Sequence, residues 1–147
     1  MLKYLYFRHI NMNLSGNMSL FLFTVIAGWI LLSSSAQILI KYGIDTMINT
    51  GVTQELFNFD GFKLLLFNKI VLLSGILYLL SLLLYIFAMT RANISFLSPF
   101  GGGLIFVITA IMASIFLQEK IPLYGWFGIT LTFLGIIITL WAYYQPE

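Results

Sequence analysis

Two long apolar runs without a charged residue occupy the C-terminal part of the chain. They are Ile94–Leu117 and Leu123–Tyr144, and the polar corner Gln118–Pro122 joins them. Each run exceeds the ~20 residues that a helix needs to cross ~30 Å of hydrocarbon. A soluble helix of this length would show one polar face, whereas neither run has a face wide enough to meet water. Because the corner is short, the sequence predicts a transmembrane hairpin whose two helices lie side by side and antiparallel.

The whole chain has the composition of a membrane protein. Of its 147 residues, 61% are hydrophobic and only 8% are charged. It has no cysteine, which excludes disulfides and thiol chemistry, and no Lys/Arg run that would indicate nucleic-acid binding. We predict an all-α membrane protein in which a polar leader at 1–17 precedes a four-helix transmembrane domain at 18–144. The predicted helices are at about 18–40, 70–89, 94–117 and 123–144, with a loop at 42–68.

Polar residues follow one face of the first predicted span. Ser33, Gln37 and Lys41 are four apart, and a polar face inside a membrane must meet protein or a water-filled cavity. One interpretation is a substrate-binding wall, in which Gln37 hydrogen-bonds a head group and Lys41 attracts an anion. The other is that the serines pack against another helix while Lys41 reaches the membrane surface. A signal peptide cleaved near residue 36 is the alternative for the whole run, but its apolar character continues to residue 40.

The second and third predicted spans add further candidate residues. Tyr78 and Tyr85 share a face of the second span, where they either line a cavity or hydrogen-bond to another helix. The third span carries Ser98 as a candidate binding residue, followed by Pro99 and three glycines. Proline removes a backbone hydrogen bond and glycine removes side-chain bulk, so we expect a kink or an unwound turn that acts as a hinge. Close packing of another helix over the glycines is the alternative. The predicted hinge residues are Pro99, Gly101, Gly102 and Gly103.

The last predicted span carries a continuous stripe of small residues. Gly128, Thr132, Gly135 and Thr139 recur at helical spacing, whereas the rest of this span is bulky. Such a stripe lets the backbone of another helix approach closely in a membrane. The sequence therefore predicts that these four residues form a dimer interface.

Several of these motifs together resemble the drug/metabolite transporter superfamily (EamA-like). The resemblance covers residues 18–144 and rests on a proline in the third helix, a Glu-containing corner, and a Trp-x-Gly start and Gly-Ile end of the last helix. Those motifs are Ser98-Pro99, Gln118-Glu119-Lys120, Trp126-Phe127-Gly128 and Gly135-Ile136-Ile137. The Ser-x-x-x-Gln-x-x-x-Lys pattern of the first span is similar to that of the small two-subunit flippases for undecaprenyl-phosphate-linked aminoarabinose.

The first span also resembles that of small multidrug resistance proteins, with one departure. Those proteins carry a membrane-embedded glutamate, and the matching position here is Ser33, with no acidic residue anywhere in 18–40. The resemblance implies a small-multidrug-resistance-like bundle that works as a homodimer, or as a heterodimer with a similar four-helix subunit. It further implies translocation of an amphipathic, anionic solute, such as a polyprenyl-phosphate-linked sugar, within membrane lipid. The alternatives are a small cation exporter and a non-transporting membrane subunit of a larger complex.

Orientation and chemistry complete the prediction. Lys and Arg are nearly balanced between the two sets of loops, which leaves the orientation open; dual-topology dimers show the same balance. We expect an inner-membrane protein with both termini in the cytoplasm. The sequence shows no nucleophile–base pair, metal-ligand cluster or nucleotide loop, so no enzyme activity, catalytic residue, cofactor or metal is expected.

Overall fold

The computed structural model of the protein describes residues 16–49 and 58–144, and every regular element in these ranges is an α-helix. Four of the helices are long and apolar enough to cross a membrane. This confirms the predicted all-helical fold with four helices of membrane-spanning length and composition. The predicted leader lies outside the described residues, except for its last two residues, which begin the first helix. The helices are α1 (Gly16–Asn49), α2 (Phe59–Phe67), α3 (Lys69–Met89), α4 (Ile94–Phe116) and α5 (Leu123–Tyr144).

Helix α1 lies at the centre of the arrangement. It packs against α3 along its length and against α4, whereas α5 packs against α4. In the most hydrophobic stretch of α1, 44% of the residues are buried, whereas the corresponding share is 17% in α3, 17% in α4 and 11% in α5. The order of the α1–α3 contacts shows that the two helices are antiparallel, because Trp29 stacks on Tyr85 while Gly43 lies against Val71.

Helices α3 and α4 are joined by a tight turn but separate beyond it. The short turn would let α4 return directly beside α3, but α4 packs on α1 instead. The indole ring of Trp29 explains the separation. It stacks on Tyr85 with ring centroids 4.6 Å apart, and it covers Gly101 so closely that a Cβ atom there would collide with the ring.

Helix α1 continues past its predicted end to Asn49, through residues that were expected to form a loop. Lys41 and Asp45 form an ion pair one turn apart, which favours the helical conformation. Gly43 is a typical loop residue, but here it gives the side chain of Val71 room, since an added Cβ would lie 2.9 Å from it. Met47 is buried one turn later. Tertiary packing therefore extends the helix where local signals predicted its end.

The short helix α2 precedes α3 and exposes large apolar side chains. Phe59 is 85% exposed and Phe67 is 73% exposed, and exposed apolar side chains on a short helix are typical of a segment that lies at the head-group boundary. Asn68 separates the two helices and caps α3, because its side-chain oxygen accepts hydrogen bonds from the backbone N–H groups of Ile70 and Val71.

Helix α4 is continuous through Pro99 and the three glycines. No turn unwinds there, and a hinge in this region stays a prediction. Pro99 lies in the second turn of the helix, so it leaves only the carbonyl of Ser95 without its helical partner, close to the helix end. The glycines serve packing, because Gly101 accommodates Trp29 and an added Cβ at Gly103 would lie 2.8 Å from Ile136 of α5.

The α4–α5 hairpin has the predicted antiparallel form. Val107 of α4 packs with Ile129 and Ile136 of α5 in a buried cluster. At the open end, the Tyr143 hydroxyl lies 2.7 Å from that of Ser95 in a hydrogen bond. The polar corner turns through Gln118, which adopts a left-handed backbone conformation with φ 55°. Close packing along the hairpin thus joins α5 to the rest of the protein through α4.

Candidate functional site

The predicted polar face of α1 is the most distinctive feature of the interior. We call Ser33, Ser34, Gln37 and Lys41 the polar track. It begins at Ser33, which lies opposite the middle of α3, and ends at Lys41, beside the first turn of α3. The distance along the helix axis is about 12 Å at 1.5 Å per residue. The track thus leads from the middle of the span toward the membrane surface on which α3 begins.

Ser33 belongs to the contact between α1 and α3. Its hydroxyl lies 3.1 Å from that of Ser81 and donates a hydrogen bond to it, and both side chains are buried. The Ser81 hydroxyl donates in turn to the carbonyl of Tyr78 at 2.7 Å. Such interhelical hydrogen bonds in membranes contribute about 0.6 kcal/mol on average and up to about 1.7 kcal/mol. This geometry supports the helix-packing interpretation of Ser33, although the substrate-binding role assigned to it stays a prediction.

Ser34 differs from the other buried serines, Ser33, Ser74 and Ser81, whose hydroxyls donate hydrogen bonds. Its side chain is completely buried, and its oxygen has no hydrogen-bond partner among the described residues. Thr109 of α4 also has a buried hydroxyl oxygen without a partner. Eight other hydroxyls donate to a backbone carbonyl one turn back, at Thr24, Thr46, Ser74, Ser81, Thr90, Thr130, Thr132 and Thr139. An unsatisfied buried hydroxyl costs about 1–3 kcal/mol, so two such groups call for an explanation.

Gln37 lies at the same depth as Thr109. Trp29 contacts Gly101, and α1 and α4 run in the same direction, so positions two turns further along each helix lie level. These positions are Gln37 and Thr109. The Gln37 side chain is half-buried and makes no hydrogen bond to a described residue. An amide carries two donors and an acceptor, so this depth of the protein is rich in unused hydrogen-bonding capacity.

Lys41 ends the track as one half of an ion pair. Its ammonium lies 2.9 Å from a carboxylate oxygen of Asp45, and the two side chains are 48% and 37% exposed. The predicted role of Lys41 as an anion-attracting cation therefore competes with an internal partner. Exposed pairs one turn apart contribute only about 0.3–0.5 kcal/mol, so a phosphate group could displace the carboxylate.

The other predicted binding residues do not join the track. Tyr85 stacks on Trp29, toward the other end of α1, and is half-buried. Tyr78 is 53% exposed on the outer face of α3. Ser98 is exposed near the start of α4, far along the helix axis from Lys41. Sequence periodicity placed Tyr78 and Tyr85 on one face of α3, but only Tyr85 meets α1 in the structure.

Thr109 is the functional candidate that sequence reasoning missed. It stands alone in an apolar run, with no polar residue one turn before it. Thr109 becomes a candidate only when α1 is considered as well, because Gln37 of α1 lies at the same depth. The described residues contain no group of three or more His, Asp or Glu side chains that could hold a metal ion.

The two glycines of the small-residue stripe of α5 face open space in the single chain, whereas Thr132 lies on the side toward Gly103 of α4. A Cβ atom added at Gly128 or Gly135 would meet no other atom within 4 Å. The hydroxyls of Thr132 and Thr139 donate to the carbonyls of these two glycines at 2.9 Å, so the stripe presents few free polar groups. The stripe therefore forms a shallow surface on which another helix can lie.

No family model, curated protein or solved structure matches the chain. Membership of the drug/metabolite transporter superfamily therefore stays a prediction from the sequence motifs. The coarser conclusion stands on the helices themselves, since four helices of spanning length and composition are the mark of a multi-pass membrane protein.

Proposed function

We propose that the protein is a small membrane transporter of the drug/metabolite transporter type, and that it translocates an amphipathic, anionic solute. The observation that carries this proposal is the polar track, in which the fully buried Ser34 hydroxyl and the half-buried Gln37 amide have no hydrogen-bond partner among the described residues. Hydrocarbon offers such groups nothing to bind. A polar head group that moves along α1 would satisfy them, while its apolar tail stays in lipid.

The charge pattern favours an anionic head group over a cation. The spanning helices α3, α4 and α5 contain no carboxylate, and the acidic residue of α1 is Asp45, near the membrane surface and already paired with Lys41. A cation within the membrane would therefore find no counter-charge, and proton exchange would lack a titrating carboxylate there. Lys41, by contrast, offers an ammonium that a phosphate can bind. A polyprenyl-phosphate-linked sugar is the best-matched substrate class.

Assembly and orientation belong to the same proposal. Helix α5 is the least buried span, and its small-residue stripe is open, which suits a homodimer or a heterodimer with a similar four-helix subunit. An even number of spans puts both termini on one side of the membrane. We propose that this side is the cytoplasm and that the membrane is the inner membrane.

A vesicle assay tests the transport function. The purified protein is reconstituted in phosphatidylcholine vesicles with a fluorescently labelled polyprenyl phosphate, and a membrane-impermeant quencher reports how fast the label changes leaflet. We expect exchange to be faster than in protein-free vesicles. Cells that express the protein should gain no resistance to quaternary ammonium compounds. Proton-dependent export of such a cation would instead show that the coupling group lies outside α1.

A second candidate function is supported by the same open stripe. A non-transporting membrane subunit would use Gly128 and Gly135 to hold a larger partner, and it would need no substrate of its own. The vesicle assay separates the two functions, because an accessory subunit alone would leave the leaflet exchange of the labelled lipid at the protein-free rate.

A further inference from the structure

We propose that the hydroxyls of Ser34 and Thr109 form one neutral binding site between α1 and α4, which takes a hydroxyl group from water or from a sugar-like head group. Both oxygens are buried, and neither has a partner among the described residues. They belong to two helices that pack together and run in the same direction. The site is uncharged, which distinguishes it from the Lys41–Asp45 pair at the membrane surface.

The two groups lie at similar depth along the packed helices α1 and α4. Counted from the Trp29–Gly101 contact, Ser34 lies more than one turn and Thr109 about two turns along the respective helix. The axial offset is about 4–5 Å at 1.5 Å per residue. A single oxygen that hydrogen-bonds to two hydroxyls bridges about 5 Å, so the axial offset permits one ligand to be shared across the α1–α4 interface.

The conformation of the hydroxyls is the second argument. A serine or threonine inside a helix can donate to a carbonyl one turn back, and seven other residues of the spanning helices do so. Ser34 and Thr109 leave that option unused while excluded from solvent. Buried groups in this state commonly hold an ordered water, which needs at least two polar partners.

The chemistry of the site selects its ligand. Each hydroxyl can donate one hydrogen bond and accept two, and the Gln37 amide at the depth of Thr109 adds two donors and an acceptor. A neutral hydroxyl matches this set, because it both donates and accepts, whereas an ion would lose its hydration without gaining a counter-charge. Occupancy by water needs no transport activity. Entry of a head-group hydroxyl rests on the transport function proposed above.

A double-mutant cycle tests whether the two residues share one ligand. The variants are Ser34→Ala, Thr109→Val and the double variant, with thermal unfolding followed in phosphatidylcholine bicelles. Each single change should lower the midpoint by about 2–4 °C, and the double change should lower it no further, because the ligand is already lost. Thr130→Val removes a hydroxyl that bonds to its own helix at 2.9 Å, and it should leave the midpoint unchanged.

Two results would overturn the shared site. Midpoints that rise in both single variants and rise further in the double variant would mean that the hydroxyls hold nothing. Decreases that add fully would mean that the two residues act separately. Coupled decreases support the site even if the vesicle assay shows no lipid exchange, so the two proposals can fail independently.

Native mass spectrometry identifies the source of the hydroxyl. The protein is titrated with monoglucosyl diacylglycerol and, as the matched control, with diacylglycerol of the same acyl chains. If the head group enters the site, the double variant should retain about three- to tenfold less glucosyl lipid than the wild type, with retention of diacylglycerol unchanged. Equal retention of glucosyl lipid by both proteins, together with a coupled cycle, would identify the occupant as water.

Discussion

Trp29 of α1 contacts both α3 and α4. It stacks on Tyr85 of α3 and lies over Gly101 of α4. Its burial, at 8% exposure, removes most of a large aromatic surface from lipid. Because glycine is the residue at 101, the ring can approach the backbone of α4 directly. The position of α4 on α1 therefore depends on the large side chain of Trp29 and on the lack of a side chain at Gly101.

Substitution of the glycines tests this arrangement at the residue scale. Gly101→Ala should destabilise the protein by about 1–3 kcal/mol, because the added methyl group collides with the Trp29 ring. Gly102→Ala is the matched control, since an added Cβ there meets no atom within 4 Å, and it should be neutral or slightly stabilising. Thermal unfolding in bicelles measures both. Equal effects of the two alanines would contradict the close contact of Trp29 with α4.

At the scale of elements, the sequence predicted what depends on local pattern. The α4–α5 hairpin followed from two charge-free runs and a short corner, and the structure contains it. The end of α1 depends instead on tertiary contacts. Gly43 and Asp45 are loop-forming by local preference, yet Val71 packs against the glycine and Lys41 pairs with the carboxylate. The Lys41–Asp45 pair is visible in the spacing of α1 itself, whereas the contact of Val71 with Gly43 cannot be read from α1 alone.

For the candidate site, too, the sequence predicted what depends on local pattern and missed what depends on contacts between helices. The spacing of Gln37 and Lys41 placed them on one face of α1, but Thr109 lies in another helix, and its depth is fixed by the Trp29–Gly101 contact. Likewise, periodicity could group Tyr78 with Ser81 on α3, but it could not say which of them meets α1. In the structure only Ser81 does so, through Ser33.

The corner between α4 and α5 gives the prediction at this scale. Gln118 holds a φ of 55°, which costs a residue with a Cβ atom roughly 1–2 kcal/mol. Gln118→Gly should therefore stabilise the hairpin by about 1 kcal/mol, after the greater chain entropy of glycine is deducted. Gln118→Ala removes the same polar side chain but keeps the Cβ, so it should bring no gain. Unfolding midpoints that rise equally in both variants would contradict the strain at this residue.

At the scale of the whole molecule, α5 is attached to the rest of the protein mainly through α4. The remaining surface of α5 includes the stripe of Gly128, Thr132, Gly135 and Thr139, and the glycines face open space. A transporter needs a cavity between helices, and one copy of this chain exposes most of α3, α4 and α5. A second four-helix subunit would supply the missing wall.

Dimerisation can be tested by filling the stripe. The double substitution Gly128→Leu and Gly135→Leu should weaken the dimer by about 0.6–2 kcal/mol per lost contact, because the leucines keep the partner helix away. Gly102→Leu adds the same side chain to an open position of α4 and should leave assembly unchanged. Cross-linking in bicelles reports the dimer fraction. An unchanged dimer in the stripe variant would move the interface elsewhere.

We propose that the polar track carries the solute. The most direct test measures leaflet exchange of labelled polyprenyl phosphate by the Gln37→Ala and Lys41→Ala variants. Each side chain should contribute a hydrogen bond to a charged head group, of about 1.5–3 kcal/mol, so each variant should slow exchange by about tenfold or more. Thr130→Val should match the wild type, and all variants should express and dimerise equally. Exchange at the wild-type rate in both track variants would contradict the account.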